Sequence, residues 1–388
     1  MRVRTASPVR SLPRKVRVLI VDDSSYNRQL LTEHLSARES LEVVGAARNG
    51  EDALKKALQL KPDIVTLDLE MPIMDGFTFL RIVMQSNPVP VIVVSSRKED
   101  RSVFRALELG AVDFIGKPEA KKASSVTSII DELIYKIENI AEVRMEKVRF
   151  PGAELRVPRR VPPGVAVPRF PEPPPVRVRA PAGRAERTGP VELVVIGAST
   201  GGPSAIQQVL QNWPPEITAP VVIAQHMPPG FTRHFAERLG RLTGMDVAEG
   251  TDGETLRPGS FRVAPGGSDI LVHRAGARGY RTEIAAPEGS QGFVPNVDRL
   301  FLSAARICAG GRAAGIVLTG MGNDGAKGAA ALHDAGSPVI AESETTAVVY
   351  GMPREAARTG KTDAVVPLDQ IPAALRALAI PGRPKSSE

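Results

Sequence analysis

One cysteine, Cys308, occurs in 388 residues. A single thiol excludes a disulfide framework and a cysteine-rich metal site. Between a nucleophile and a small buried side chain, the core role is expected. No apolar run approaches the roughly 20 residues that a bilayer requires. The basic start MRVRTASPVRSLPRK is not followed by an apolar stretch with a small-residue cleavage site. A cytoplasmic chain without membrane insertion is therefore expected, and as a monomer. Helix-turn-helix patterns and zinc spacings are also missing. The formal charge of +7 therefore does not mark a nucleic-acid reader. Much of its arginine lies in residues 156 to 190, where repeated proline removes backbone donors and apolar periodicity disappears. That stretch reads as a solvated linker.

What is present suits two domains, at about 100 to 200 residues per domain. Before the linker, VRVLIVDDS, LEVVGAARNG, DIVTLDLEMPIMDG, VPVIVVSS and AVDFIGKP are strand candidates, and each is followed by a helical pattern. Five such units predict an open, doubly wound parallel sheet with ligands at the carboxyl ends of its strands. Asp22 and Asp23 end the first strand, Asp68 the third and Ser95 the fourth, and Lys117 follows the fifth. Carboxylates gathered at one edge repel one another unless a hard cation such as Mg²⁺ joins them. With a hydroxyl and an ammonium beside them they form a phosphoryl-accepting site. For Asp22 and Asp23 alone, helix capping is the competing reading.

These motifs, DD, LDLEMPIMDG, VVSS and GKP, resemble the receiver domain of response regulators over residues 16 to 138. The resemblance implies phosphorylation at Asp68. It also implies Mg²⁺ ligands from Asp22, Asp23, Asp68 and the carbonyl of Glu70, and switch positions at Ser95, Phe114 and Lys117. Ser95 stands where many receivers carry threonine, and it keeps the hydroxyl.

After the linker, strand and helix patterns alternate again: VELVVIGAS, PSAIQQVLQNW, APVVIAQHM, FTRHFAERLGRLT, VDRLFLSAARICAG, RAAGIVLTG, DGAKGAAALHDAG and SPVIAES. Residues 246 to 295, rich in glycine and short strands, read as a hairpin insert in a second doubly wound parallel sheet. The turn GASTG is not the GxGxxG of dinucleotide sites, because Ser199 occupies the second glycine position. It fits GxSxG, which exposes a serine over a helix N-terminus. That serine needs a base, and the base needs an acid. Among His34, His226, His234, His273 and His333, only His226 follows a predicted strand that brings it to the edge of Ser199. Asp324, in the loop TGMGNDG, is preferred as the acid over Asp298 and Asp269. A capping role for Asp324 at the helix GAKGAAAL is the alternative.

GASTGGP, AQHMPPGFT, VAPGG, VPNVDRLF, TGMGNDGAKG and TTAVVYGMPREA together resemble the catalytic domain of the chemotaxis protein-glutamate methylesterases (the CheB family), which also deamidate glutamine. The resemblance covers residues 191 to 380. It implies a triad of Ser199, His226 and Asp324, an oxyanion donor at the Met321 backbone, and support of the imidazole by Thr200, with no cofactor for the hydrolase. It further implies methyl-accepting chemotaxis receptors as substrate and the chemotaxis histidine kinase as phosphodonor. The expected layout is a basic extension (1–15), a receiver domain (16–138), a Pro/Arg-rich linker (139–190), a catalytic domain (191–380) and a tail (381–388). The competing functions are a receiver-controlled hydrolase of another ester or amide outside chemotaxis, and a catalytically inactive binding module.

Overall fold

The computed structural model describes residues 14–95, 100–117, 123–140, 189–276, 279–288, 293–308 and 310–379. The expected N-terminal extension, linker and C-terminal tail lie outside the described residues except for a few at their edges. The chain divides into two compact units. Among the described residues, those before Ser95 form one with those of Lys117–Glu142, and those of Ser95–Gly116 form the other with those after Glu142.

The first sheet is built from β1 (Val16–Val21), β2 (Leu41–Ala47), β3 (Ile64–Leu67), β4 (Val91–Ser95) and β5 (Asp113–Gly116), in the order β2-β1-β3-β4-β5. Helices α1 (Ser25–Ser36), α2 (Gly50–Leu60), α3 (Gly76–Ser86), α4 (Asp100–Glu108) and α5 (Ala123–Ile140) alternate with them. β1 pairs in parallel with both β2 and β3, and β3 with β4. Each strand is a short apolar run, and β3 and β4 are buried at every position, as a sheet covered on both faces requires. Polar caps start three of the helices: Ser24, Asn49 and Asp75 accept from the N–H groups of Asn27, Asp52 and Thr78. The strand order reverses at β1, so the carboxyl ends of β1 and β3 flank a switch-point crevice.

The second sheet contains β6 (Leu193–Ala198), β7 (Val221–Gln225), β8 (Asp246–Glu249), β10 (Ser260–Val263), β13 (Ala313–Val317), β14 (Val339–Glu342) and β15 (Ala364–Val366). Its order is β15-β14-β13-β6-β7-β10-β8, and every pairing is parallel. Around it run α6 (Gly202–Gln211), α7 (Phe231–Thr243), α8 (Val297–Ile307), α9 (Ala326–Asp334), α10 (Met352–Arg358) and α11 (Ile371–Ala379). β11 (Asp269–Ala275) and β12 (Gly279–Ala285) form an antiparallel hairpin that β9 (Thr255–Leu256) joins. The hairpin insert is therefore smaller than residues 246 to 295: β8 and β10 extend the main sheet instead. Four-residue strands between glycines carry too little periodicity to show this, and the β10 partner, β7, lies well before it in the chain. Phe231, Phe235 and Phe301 are fully buried, each worth on the order of 1.5–3 kcal/mol in apolar area removed from water. Among the described residues no helix is long and apolar enough to cross a membrane.

Candidate functional site

The crevice of the first sheet gathers the predicted acids. Asp22 follows β1 and Asp68 follows β3, both 2% exposed, with Asp23 beside them at the surface. One carboxylate oxygen from each of the three lies within 4.8 Å of the others. Lys117 Nζ reaches Asp68 Oδ2 at 2.7 Å and Asp22 Oδ2 at 3.4 Å. Burial, and after it the charge of Asp22, push the Asp68 carboxyl up to about 6, although Lys117 pulls the other way. Burial works against the Lys117 charge, yet its contacts with Asp68 and Asp22 hold it above the ordinary lysine value. Three hard oxygen donors with too little positive charge among them fit a divalent cation. The Glu70 N–H points to Asp68 Oδ1 at 3.4 Å. Ser95 closes β4 and Phe114 lies in β5, both buried.

Two orienting residues had no signal in the sequence. Asn27 Nδ2 donates to both Asp22 carboxylate oxygens at 3.3 and 3.2 Å. Arg28 donates to the Asp22 and Asp23 carbonyls at 2.8 Å each. Both stand on α1, whose first turn is fixed by the Ser24 cap.

In the second sheet the order reverses at β6, and Ser199 follows that strand. Its N–H donates to Thr319 O at 3.0 Å, and its carbonyl accepts from Gly202 N at 2.8 Å. Gly201 (φ 76°) then turns the chain into α6. A second clamp comes from Gln225, 2% exposed: its Nε2 donates to Ser199 O at 2.9 Å and to His226 O at 3.1 Å. That side chain fits only because residue 202 is glycine, since a Cβ there would sit 2.0 Å from Gln225 Oε1.

His226 Nδ1 lies 3.1 Å from Ser199 Oγ, and its Nε2 lies 2.8 Å from Asp324 Oδ2. The ring is thus turned end for end relative to the common serine-hydrolase template, in which Nε2 faces the serine. An ionised carboxylate only accepts, so Nε2 carries the proton and the Nδ1 lone pair faces the hydroxyl. Asp324 Oδ2 also accepts from Val297 N, and its Oδ1 from Asp298 N, each at 2.8 Å. Burial works to raise the Asp324 carboxyl, but the hydrogen bond and charge of His226 and these two N–H groups hold it below the ordinary aspartate value. The same carboxylate therefore caps a helix and faces the imidazole. The helix is α8, whereas α9 has Gly325 as its N-cap and no side-chain cap.

The competing acids are engaged elsewhere. Asp298 accepts from Gly328 N at 2.7 Å, and Asp269 accepts from Asn296 N at 2.6 Å and from Arg299. Thr200 departs from expectation: its Oγ1 donates at 2.5 Å to Asp113, a residue of the same compact unit, rather than to His226. The Thr200 backbone is held separately, since Thr319 Oγ1 donates to Thr200 O at 2.9 Å. Met321 is buried in the loop between β13 and α9. Cys308 is buried, its Sγ 3.6 Å from Tyr280 Oη, and burial pushes its thiol up. Phe293, which drew no attention in the sequence, stacks on the His226 ring.

Residues 194–375 match the family described as CheB methylesterase, and residues 18–127 match the response regulator receiver domain. A protein-glutamate methylesterase/protein-glutamine glutaminase of Geobacter sulfurreducens is 46% identical over 363 residues, covering 92% of this chain and 96% of that one. The chain belongs to the CheB methylesterase family. A Myxococcus xanthus protein of the same description is 44% identical over 364 residues, covering 94% of this chain and 97% of that one. The crystal structure of the Thermotoga maritima CheB methylesterase catalytic domain is 37% identical, covers 48% of this chain and 98% of that one, and has a TM-score of 0.46. The architecture is that of a CheB protein: a receiver domain followed by a catalytic domain, each on a parallel α/β sheet.

Proposed function

We propose that this protein is a cytoplasmic, phosphorylation-activated serine hydrolase that demethylates glutamate γ-methyl esters and deamidates glutamines on chemoreceptors. The observation that carries the reading is the continuous line Ser199 Oγ, His226, Asp324, with both hydrogen bonds at 3.1 Å or less. In the forward step Ser199 Oγ attacks the ester carbonyl carbon while its proton passes to His226 Nδ1. Asp324, held ionised by three donors, stabilises the imidazolium that forms. The Met321 backbone N–H is the donor assigned to the developing oxyanion. His226 then returns the proton to the leaving methoxide, which departs as methanol, and a water activated by His226 releases the acyl group from Ser199. On a glutamine the same sequence releases ammonia.

In the receiver, Asp22, Asp23, Asp68 and the Glu70 carbonyl would hold Mg²⁺, which when bound offsets the negative charge of the transferred phosphoryl group. Asp68 accepts that group from the chemotaxis histidine kinase. Lys117 is placed to pair with its oxygens, and Ser95 and Phe114 are the switch positions. Modifying Asp68 changes no atom of the triad, so control operates by a shift in population between states of the chain. The test is methanol release from methylated receptor by the full chain, with and without acetyl phosphate and Mg²⁺, beside Asp68→Asn. The expected result is a rate that rises with phosphodonor in the wild type and not in the variant. Release from other esters but none from receptor would move the reading to a receiver-controlled hydrolase outside chemotaxis.

A further inference from the structure

The Phe293 ring lies flat against the His226 imidazole, with centroids 4.8 Å apart and planes 10° from parallel. The two residues come from different segments: His226 follows β7, and Phe293 precedes Asn296, the cap of α8. Both nitrogen-bearing edges of the imidazole are engaged, Nδ1 with Ser199 and Nε2 with Asp324, and its side chain is only 6% exposed. The faces remain. Water binds an imidazolium mainly at its N–H edges, so a ring laid over one face removes little hydration. It also presents the negative side of its π quadrupole to the charge. That charge appears when the imidazole takes the serine proton.

We propose that Phe293 is a positioning residue for the hydrolysis, pinning the His226 plane between Ser199 and Asp324 and favouring the protonated ring. The inference rests on His226 acting as the base for Ser199. Among the described residues, the carboxylate in contact with the imidazole is Asp324, in the loop before α9, and Asp298 of α8 in turn interacts with Asp324 and with Lys327 of α9. None of these changes when residue 293 is replaced, so a difference between variants reports the ring.

The experiment uses the full chain as wild type, Phe293→Leu and Phe293→Trp, with two readouts. One is titration of the His226 ring signals by NMR, and the other is the rate at which a fluorophosphonate labels Ser199 as a function of pH. In Phe293→Leu, proton binding by the ring is expected to weaken about two- to fivefold, moving the acid limb of the labelling profile to lower pH. The plateau labelling rate is expected to fall about tenfold as the ring loses its orientation. Phe293→Trp restores both. An unmoved titration in Phe293→Leu overturns the proposal, as does a slower plateau with an unmoved acid limb that Trp fails to restore, since that pattern reports packing alone. A wild-type chain that does not label tells against the Ser199–His226 reading itself, and the ring titration still decides the role of Phe293.

Discussion

Asp324→Asn tests the triad where two demands meet on one carboxylate. Its two oxygens accept three donors: His226 Nε2 and Val297 N on Oδ2, and Asp298 N on Oδ1. An asparagine offers one oxygen and one NH₂, so one donor must face another in either orientation. With the NH₂ toward Asp298, the imidazole keeps its tautomer but loses the charge that stabilises it when protonated. With the NH₂ toward His226, the ring must carry its proton on Nδ1, and Ser199 has no base. The expected loss in kcat for methanol release is about 10²- to 10⁴-fold, the upper value being that of a wrong tautomer. The backbone N–H left unpaired costs about 1–3 kcal/mol of stability, a fall of roughly 2–4 °C in Tm per kcal/mol for a unit of this size. Steady-state kinetics on methylated receptor and a thermal melt measure the two effects separately. A variant within threefold of wild-type kcat would refute the assignment of Asp324 as the acid.

Asp68 carries a pH signature. Its folded-state value of about 6 stands above the ordinary 3.8, so without a divalent cation its contribution to stability is fully present below pH 3.8 and is lost as pH rises through 6. Above that, ionisation costs the folded state up to about 3 kcal/mol, from 2.2 pH units at ~1.36 kcal/mol each. Asp68→Asn should therefore stabilise the receiver in urea unfolding at neutral pH, by up to that amount less what Lys117 loses with its partner, and the gain should vanish near pH 4. Mg²⁺ should stabilise the wild type and have little effect on the variant. Gln225→Leu removes the clamp on the Ser199 and His226 carbonyls, and a fall of about tenfold in kcat is expected. Its stability cost should be about 1–3 kcal/mol at most, because the His226 carbonyl loses the Gln225 donor while the Gln225 Oε1, unpartnered among the described residues, leaves with the side chain. Phe301→Ala, at a fully buried position on α8, should cost about 3–5 kcal/mol in chemical denaturation.

Much of this arrangement is legible in the residues alone. Runs such as VRVLIV and LVVIGA are apolar because their sheets are covered on both faces, and a parallel sheet brings the residues just past each strand to one edge. Hence Asp22, Asp68, Ser199 and His226 could be placed by strand ends alone. Asp324 is harder, since a capping carboxylate and one that pairs with a histidine have the same local sequence, and here one side chain does both. The features that stayed hidden depend on which loops meet. The partner of Thr200 is Asp113, 87 residues away in sequence, and no periodicity encodes that contact. The Gln225 bond to Ser199 O, the Phe293 stack on His226 and the end-for-end imidazole between Ser199 and Asp324 are likewise contacts between separate segments. The short strands β8 and β10 escaped for a different reason, their pairing being long-range and their length only four residues each.

The most direct test of the account is kcat/KM for methanol release from methylated receptor by the wild-type chain and by Ser199→Ala, at equal concentrations of folded protein. Loss of the attacking oxygen predicts a fall of at least about 10³-fold. A Ser199→Ala chain that retains more than about a tenth of the wild-type value would contradict nucleophilic attack by Ser199.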